Sequence, residues 1–237
     1  MTGVVVVTID GPAGTGKSSA AAALARRIGF DMLDTGAMYR AVALMAIEAG
    51  IDAGDEASLA QLMDSATIRV EFAQRMPIVR INDRDVSGAI RGAKVTAIVS
   101  RVASHHEVRA RLVAAQREVL AAHPRLVTEG RDQGTVVFPD AAVHVWLDAR
   151  PEVRARRRTD ELRARGVPAS EAEVLREILE RDASDRGRAE GPLAMPLRAV
   201  AIDTSDLTFE AVVDALERVV REHTGGHATA CARGGAM

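Results

Sequence analysis

Aromatic residues make up only 3% of the 237-residue chain, so any core it buries has to be packed from Ala, Val, Leu and Ile. It carries a single cysteine, Cys231, in a Gly/Ala-rich C-terminal stretch, which excludes an internal disulfide and points to a reducing compartment. No apolar run approaches the roughly 18 residues that cross a bilayer, so no membrane anchor is expected. The chain enters a β-branched run within four residues, which leaves no room for a cleavable leader, and a cytoplasmic location is expected. Large net charge is absent too: at −2 with a pI near 6.3, the molecule as a whole has no attraction for nucleic acid or acidic membranes. Any anion binding has to be local. Lysine is almost missing, with Lys17 and Lys94 the only two among 31 cationic residues.

The residues around Lys17 are the most informative part of the chain. Gly11-Pro12-Ala13-Gly14-Thr15-Gly16-Lys17-Ser18 fits the phosphate-cradling pattern GxxxxGK[ST] at every fixed position. A buried-strand run, Val4 to Ile9, precedes it, and an alanine-rich helical segment from Ser19 follows, with Arg26 and Arg27 late where the helix dipole favours cations. Glycines let the backbone wrap an anion so that successive N–H groups point at phosphate oxygens. Lys17 would reach the β/γ-phosphates, and Ser18 would ligate a phosphate-bound Mg²⁺. A chain that otherwise uses Arg keeps Lys here because a compact ammonium suits the cradle better than a planar fork.

Four further apolar runs, 30–33, 125–128, 142–147 and 199–202, alternate with helical patterns, which implies a parallel, helix-sandwiched sheet. Each ends near a carboxylate: Asp34, Glu129, Asp148 and Asp203. Asp34 and Glu129 are expected to face the phosphate loop across the crevice at the strand ends, whereas Asp148 and Asp203 read equally well as helix caps. Between Leu62 and Ala103 the rhythm changes to alternating apolar and polar residues, the mark of a small antiparallel sheet inserted into the α/β core. Residues 105–122 and 150–184 read as long helices, the second broken at Gly166-Val167-Pro168. A last helix from about Thr208 places Phe209, Val212, Val213, Leu216, Val219 and Val220 on one face. Residues 223–237 read as a disordered tail, whose His and Cys fit no metal-ligand spacing.

Three more stretches carry polar groups to strand or helix ends: Asp34-Thr35-Gly36-Ala37-Met38-Tyr39-Arg40, Glu129-Gly130-Arg131-Asp132, and Arg181 to Arg188, where Arg181, Asp185 and Arg188 share a helix face. Arginines from such distant segments, converging on a crevice that already holds a triphosphate, imply a second anion. Tyr39, the one tyrosine, reads as a packing residue with its hydroxyl at the surface, and His105-His106 as a solvated pair. A GTP-driven switch would need an [NT]KxD element, which two lysines at 17 and 94 do not supply. The Arg150–Arg165 run lacks stacking aromatics and is broken by acids, so it fits a phosphate lid better than an RNA-binding surface.

With these stretches assembled, the chain resembles the bacterial cytidylate kinases, nucleoside monophosphate kinases that make CDP or dCDP from CMP or dCMP with ATP. The resemblance runs from Val4 to about Arg221 and rests on GPAGTGKSS, DTGAMYRAVAL, DVSGAIR, EGRDQGTVVFPDA, RARRR and ERDASDRGRAEGPL, in family order. It implies a P-loop NTPase fold, a three-layer α/β/α sandwich on a parallel five-stranded sheet, with the insertion at about 62–103 as an enlarged monophosphate-binding region and a helical lid at about 150–168. Residues 1–222 would form one such domain. The loop Gly11, Pro12, Ala13, Gly14, Thr15, Gly16, Lys17, Ser18 and Ser19 would bind ATP, with Mg²⁺ on Ser18.

The same resemblance implies that Ser100, Arg109 and Asp132 read the cytosine, that Thr35 and Tyr39 line the substrate pocket, and that Arg40, Arg131 and Arg188 hold the monophosphate. Arg181 and Asp185 would meet the sugar hydroxyls. Arg154, Arg157 and Arg158 would be lid arginines over the ATP phosphates, joining Lys17, Arg131 and Asp132 in catalysis. The implied partners are small nucleotides alone, with no nucleic acid, no membrane and a monomeric protein. Gln133 departs from the apolar residue usual after the GRD turn, and Thr35 stands where Ser is common.

Overall fold

In the computed structural model, residues 3–225 are described; Cys231 and the rest of the expected tail beyond Gly225 lie outside them. The first strand, β1 (Val5–Asp10), runs into the loop and then α1 (Lys17–Ile28), β2 (Asp31–Asp34), α2 (Thr35–Ala49) and α3 (Glu56–Asp64). A second sheet follows, β3 (Ile68–Ala73), β4 (Met76–Ile81) and β5 (Arg84–Asp85), then α4 (Ala93–Val102) and α5 (His106–Ala122). The chain returns to the main sheet with β6 (Arg125–Gly130), β7 (Val143–Asp148), α6 (Pro151–Ala164), α7 (Glu171–Arg186), β8 (Val200–Asp203) and α8 (Phe209–His223). The main sheet has the order β2-β6-β1-β7-β8, parallel throughout. Both edges of β1 are paired, which is why it consists of β-branched residues: Val7 and Ile9 pack towards α1 and α8, while Val6 packs towards α2 and α5.

Small residues set how close α1 lies to the sheet. Ala20, Ala21 and Ala25 are buried, and Gly29 ends the helix at φ +73 with its N–H on the Ala25 carbonyl. On α8 the expected stripe is buried from Val212 to Val220, but Phe209 is 48% exposed. It is the first residue of the helix, ahead of the turns that reach the sheet. Among the described residues no helix is long and apolar enough to cross a membrane.

The inserted region is part sheet and part helix. β3 and β4 pair antiparallel with the expected alternation of half-buried and exposed residues, whereas its borders at 62 and 93–102 are helical. The hairpin turns on Gln74 and Arg75, both at positive φ without a glycine. Contacts with the main sheet offset that backbone cost: Arg75 donates to the Gly29 carbonyl at 2.5 Å, and the Arg75 carbonyl accepts from the Met32 N–H of edge strand β2 at 3.1 Å. Thus the hairpin tip caps the open edge of the five-stranded sheet.

Candidate functional site

The loop between β1 and α1 adopts the backbone that its glycines allow. Gly11 has φ +150, and a Cβ there would run into the Leu147 carbonyl; Gly14 has φ +77, and Gly16, at φ +87, is the left-handed N-cap of α1. Pro12, Ala13 and Thr15 are buried in the loop, while Ser18 and Ser19 stand exposed at the start of the helix. Lys17 is 5% exposed, and its ammonium folds back on the loop, donating to the Pro12 carbonyl at 2.6 Å and the Thr15 hydroxyl at 3.4 Å. Burial lowers its pKa to about 7, helped by the positive charges of Arg131 and Arg181 and opposed by Glu129 and Asp10.

Asp34 and Glu129 close the crevice at the ends of adjacent strands, as expected. Ser18 donates to Glu129 Oε1 at 2.7 Å, and Asp34 caps α2 by accepting from the Ala37 N–H at 2.9 Å. Burial and the neighbouring Glu129 charge raise the Asp34 pKa to about 7, with Arg91 at 3.5 Å opposing them. A hydroxyl and two crowded carboxylates form a hard oxygen donor set that suits Mg²⁺. Asp148 and Asp203 serve local turns instead, accepting from the Ala149 and Ser205 N–H groups.

Opposite the loop lies a set of arginines drawn from three parts of the chain. Asp185 is shared between Arg131, whose Nε donates at 2.9 Å, and Arg188. Arg181 Nε and Arg188 Nε are buried with no acceptor. The Arg181 pKa comes down to about 10 through burial and the charges of Arg131, Arg40 and Arg188, against Asp185. Arg40 reaches in from α2, held by Thr96 Oγ1 at 2.8 Å, and the charges of Arg158 and Arg131 are among those lowering its pKa, after burial. Arg131 thus acts on Lys17 on one side and on Arg40, Arg181 and Arg188 on the other.

A second cluster adjoins them. Arg109 on α5 is buried and ion-paired with Asp132, and its Nη1 lies 3.4 Å from the Tyr39 hydroxyl. Tyr39 is buried, contrary to the surface hydroxyl expected, and burial pushes its pKa up to about 12. Ser100 is half-buried on α4. Gly191, which the sequence reading did not single out, has φ +57 and lies so close that a Cβ would overlap Arg109 Nη2 and Asp132 Oδ2.

Several expected contacts run elsewhere. Thr35 is buried and donates its hydroxyl to the Glu129 carbonyl at 2.8 Å, so it ties two strand ends together rather than facing the crevice. Arg154 is engaged with the loop backbone and α7 rather than held free above the loop: its Nη1 donates to the Ala13 carbonyl at 2.9 Å and to Asp182 at 2.6 Å. Arg157 binds the Thr204 carbonyl at 2.6 Å and hydroxyl at 3.0 Å, because its helical phase aims it at the loop after β8. Only Arg158 of the trio is on the open side, paired with Glu161 at 2.9 Å. His105 is no solvated residue either, since its Nε2 contacts the Ala53 carbonyl at 2.7 Å, and His106 pairs with Glu190 at 2.7 Å.

The polar residue at Gln133 is fully satisfied. Its Oε1 accepts from Thr128 at 2.8 Å, and its amide donates to Gln116 at 3.2 Å and more weakly to Thr35 at 3.4 Å. Sequence reasoning missed Asp10, whose buried carboxylate accepts from the Gln133 and Gly134 N–H groups at 2.8 Å each and so fixes the turn that presents Arg131 and Asp132. Burial raises the Asp10 pKa to about 7, the two N–H bonds opposing it. Its place at the end of β1, level with Gly130, was the available signal.

A glycine loop on the central strand, facing an arginine-lined basin across the strand ends, places the molecule among the P-loop kinases. The chain belongs to the cytidylate kinase family, whose profile matches residues 7–222. A cytidylate kinase from Mycobacterium avium is 45% identical over 94% of this chain and 98% of its own, and one from Geobacter sp. is 44% identical over 92% and 93%. Among solved structures, a gluconokinase from Sinorhizobium meliloti 1021 aligns over 94% of this chain and 95% of its own at TM-score 0.48 and 18% identity.

Proposed function

We propose that this chain transfers the γ-phosphoryl group of ATP to CMP and dCMP. The observation that carries this reading is the pair of buried guanidinium nitrogens, on Arg181 and Arg188, that lack an acceptor in the same basin as Lys17. Such donors are costly to leave unpaired, and the chemistry that satisfies them is a second anion end to end with the one on the loop. Arg40, Arg131 and Arg188 hold the acceptor phosphate in this reading, Arg181 and Asp185 the sugar, and Asp132, Arg109, Tyr39 and Ser100 the cytosine. A base offering an amino donor and ring acceptors matches a carboxylate, a guanidinium and hydroxyls.

The acceptor is a phosphate with a second pKa near ~6, already mostly dianionic at neutral pH, so no general base is required. What the protein adds is alignment and charge neutralisation. Lys17 and the loop amides grip the donor, Arg131 sits between donor and acceptor, and Arg158 is the lid arginine positioned to approach the transferring group. Mg²⁺, when bound, would take Ser18 with Glu129 and Asp34 nearby and would neutralise charge on the ATP phosphates. Residues 62–103 and 150–168 close over the two ligands, which keeps water from the γ-phosphate. The same reading keeps residues 1–222 as one domain, acting as a cytoplasmic monomer on free nucleotides.

A coupled ADP-release assay with a panel of monophosphates tests this. CMP and dCMP should be turned over well ahead of AMP and GMP; ADP release independent of any acceptor, or a purine preference, would refute the proposal.

A further inference from the structure

Behind the phosphate loop lies a buried ion pair with no part in the reaction as described above. Asp182 on α7 is 0% exposed and Arg154 on α6 is 3% exposed. Asp182 Oδ1 accepts from the Ala13 N–H at 2.9 Å, and Oδ2 takes Arg154 Nη1 at 2.6 Å. The same Nη1 donates to the Ala13 carbonyl at 2.9 Å, and Arg154 Nε donates to the Ala149 carbonyl at 2.9 Å. Both backbone polar groups of Ala13 are therefore held by one ion pair. The pair also ties the loop to the start of α6 and to α7. The contact is close: a Cβ on Gly14 would stand 3.3 Å from Arg154 Cβ.

A pair this deeply buried gains little net stability, because desolvating two charges offsets most of their attraction. It does gain geometry. In a loop whose other amides must converge on phosphate oxygens, the Ala13 N–H is held by a carboxylate of the protein instead, and the orientation of that peptide sets where the next amides point. Arg154 has no freedom to reach a nucleotide while its Nε and Nη1 are committed to backbone oxygens and Asp182. Helix α7 carries Asp182 between Arg181 and Asp185, so the element that presents the acceptor-side groups also anchors the donor loop.

We infer that Asp182, acting through Arg154, is a positioning residue that shapes the phosphate loop for ATP while neither side chain touches the nucleotide. The inference rests on the ATP reading of the loop above. Its test is equilibrium binding of ATPγS and, separately, of CMP to Asp182→Asn, Arg154→Lys and the double variant Arg154→Met/Asp182→Asn, each checked for a cooperative thermal melt. The double variant leaves no unpaired buried charge, so it keeps the test open if a single variant fails to fold.

The expected result is ATPγS binding weakened tenfold or more in every folded variant, with CMP binding within twofold of wild type. A direct phosphate contact predicts otherwise: Asp182→Asn would free the guanidinium and leave ATPγS binding unchanged or tighter, and Arg154→Lys would keep most of it. Either outcome overturns the inference, as does equal weakening of ATPγS and CMP or loss of the cooperative melt in all three variants. Wild-type protein that fails to bind ATPγS overturns the ATP reading itself and this inference with it, whereas wild-type binding matched by the variants overturns the inference alone.

Discussion

Nucleotide should bind this protein together with a proton. Lys17 has a pKa near 7 because its ammonium is buried beside Arg131 and Arg181, so at pH 8 it is only about one-tenth charged. Phosphates arriving in the cradle favour the charged form and return it towards its ordinary value of 10.5. Uptake should therefore rise from about 0.1 proton per nucleotide at pH 6 to about 0.9 at pH 8. Affinity should fall about tenfold for each pH unit above 7, or about 1.4 kcal/mol per unit, until the bound-state pKa is reached. Asp10 and Asp34, buried acids with pKa values also near 7, are deprotonated at pH 8 as well, so any proton they take up adds to the wild-type count and appears equally when Lys17 is replaced by a permanent cation.

The assay is calorimetry of ATPγS binding without acceptor, at pH 8, in buffers of different ionisation enthalpy; the slope of observed enthalpy against buffer enthalpy counts the protons. Lys17→Arg supplies the control, since a guanidinium stays charged; its slope should fall below that of wild type by the Lys17 share of about 0.9 proton. A wild-type slope below about 0.2 proton, or the same slope in Lys17→Arg, would refute the reasoning.

Further outcomes follow from the same geometry. Lys17→Ala should abolish transfer, with retained turnover refuting the role given to Lys17. Lys17→Met should melt at a higher temperature than wild type at pH 6, because it removes a charge that burial penalises. The sign follows from the lowered folded-state pKa: between about 7 and 10.5 the unfolded chain holds more protons, so wild-type stability from this group rises with pH and the gap should shrink towards pH 10. Arg188→Ala should raise the acceptor KM at least about tenfold while the ATP KM stays within about twofold, because its buried Nε and its Asp185 pairing belong to the acceptor side. Gly191→Ala should weaken CMP and blur its discrimination from UMP, since the added methyl displaces the Arg109–Asp132 pair; unchanged CMP kinetics would remove Gly191 from the site.

Much of this architecture could be read from the chain because its signals are local. The five apolar runs, the glycine loop and the α8 stripe each follow from residues within about a dozen positions, and the main sheet formed from those runs. The hairpin turn was not legible, because Gln74 and Arg75 carry no intrinsic preference for positive φ and are held there by Gly29 and Met32. The roles of the buried acids were hidden for a related reason: the end of β1 marks Asp10 as a candidate and nothing local marks Asp182, but their partners Gln133 and Ala13 lie 123 and 169 positions away. The RARRR run shows the same limit at finer scale. Its charge was plain, but only the helical phase against the loop decides that Arg154 faces Ala13, Arg157 faces Thr204 and Arg158 faces Glu161.

Charge crowding in the basin has one more consequence. After burial, which is the main cause in each case, Arg131 and Arg181 lower the Lys17 pKa, Arg131 and Arg40 lower that of Arg181, and Arg109 and Arg131 lower that of Arg188. Asp185 and Glu129 overcome burial and leave Arg131 with a raised pKa, whereas Arg181 and Arg188 stay lowered. The fold holds these cations close together, and each phosphate that enters relieves some of their mutual repulsion. One anion on the loop neutralises Lys17 and lowers the field at Arg131, yet the Arg181 and Arg188 nitrogens remain without acceptors. Arg131 feels both sites, so the first ligand also screens the charge that Arg181 and Arg188 sense. The rigidity that holds like charges together in the empty protein thus favours the state with both phosphates present, the state from which in-line transfer can proceed.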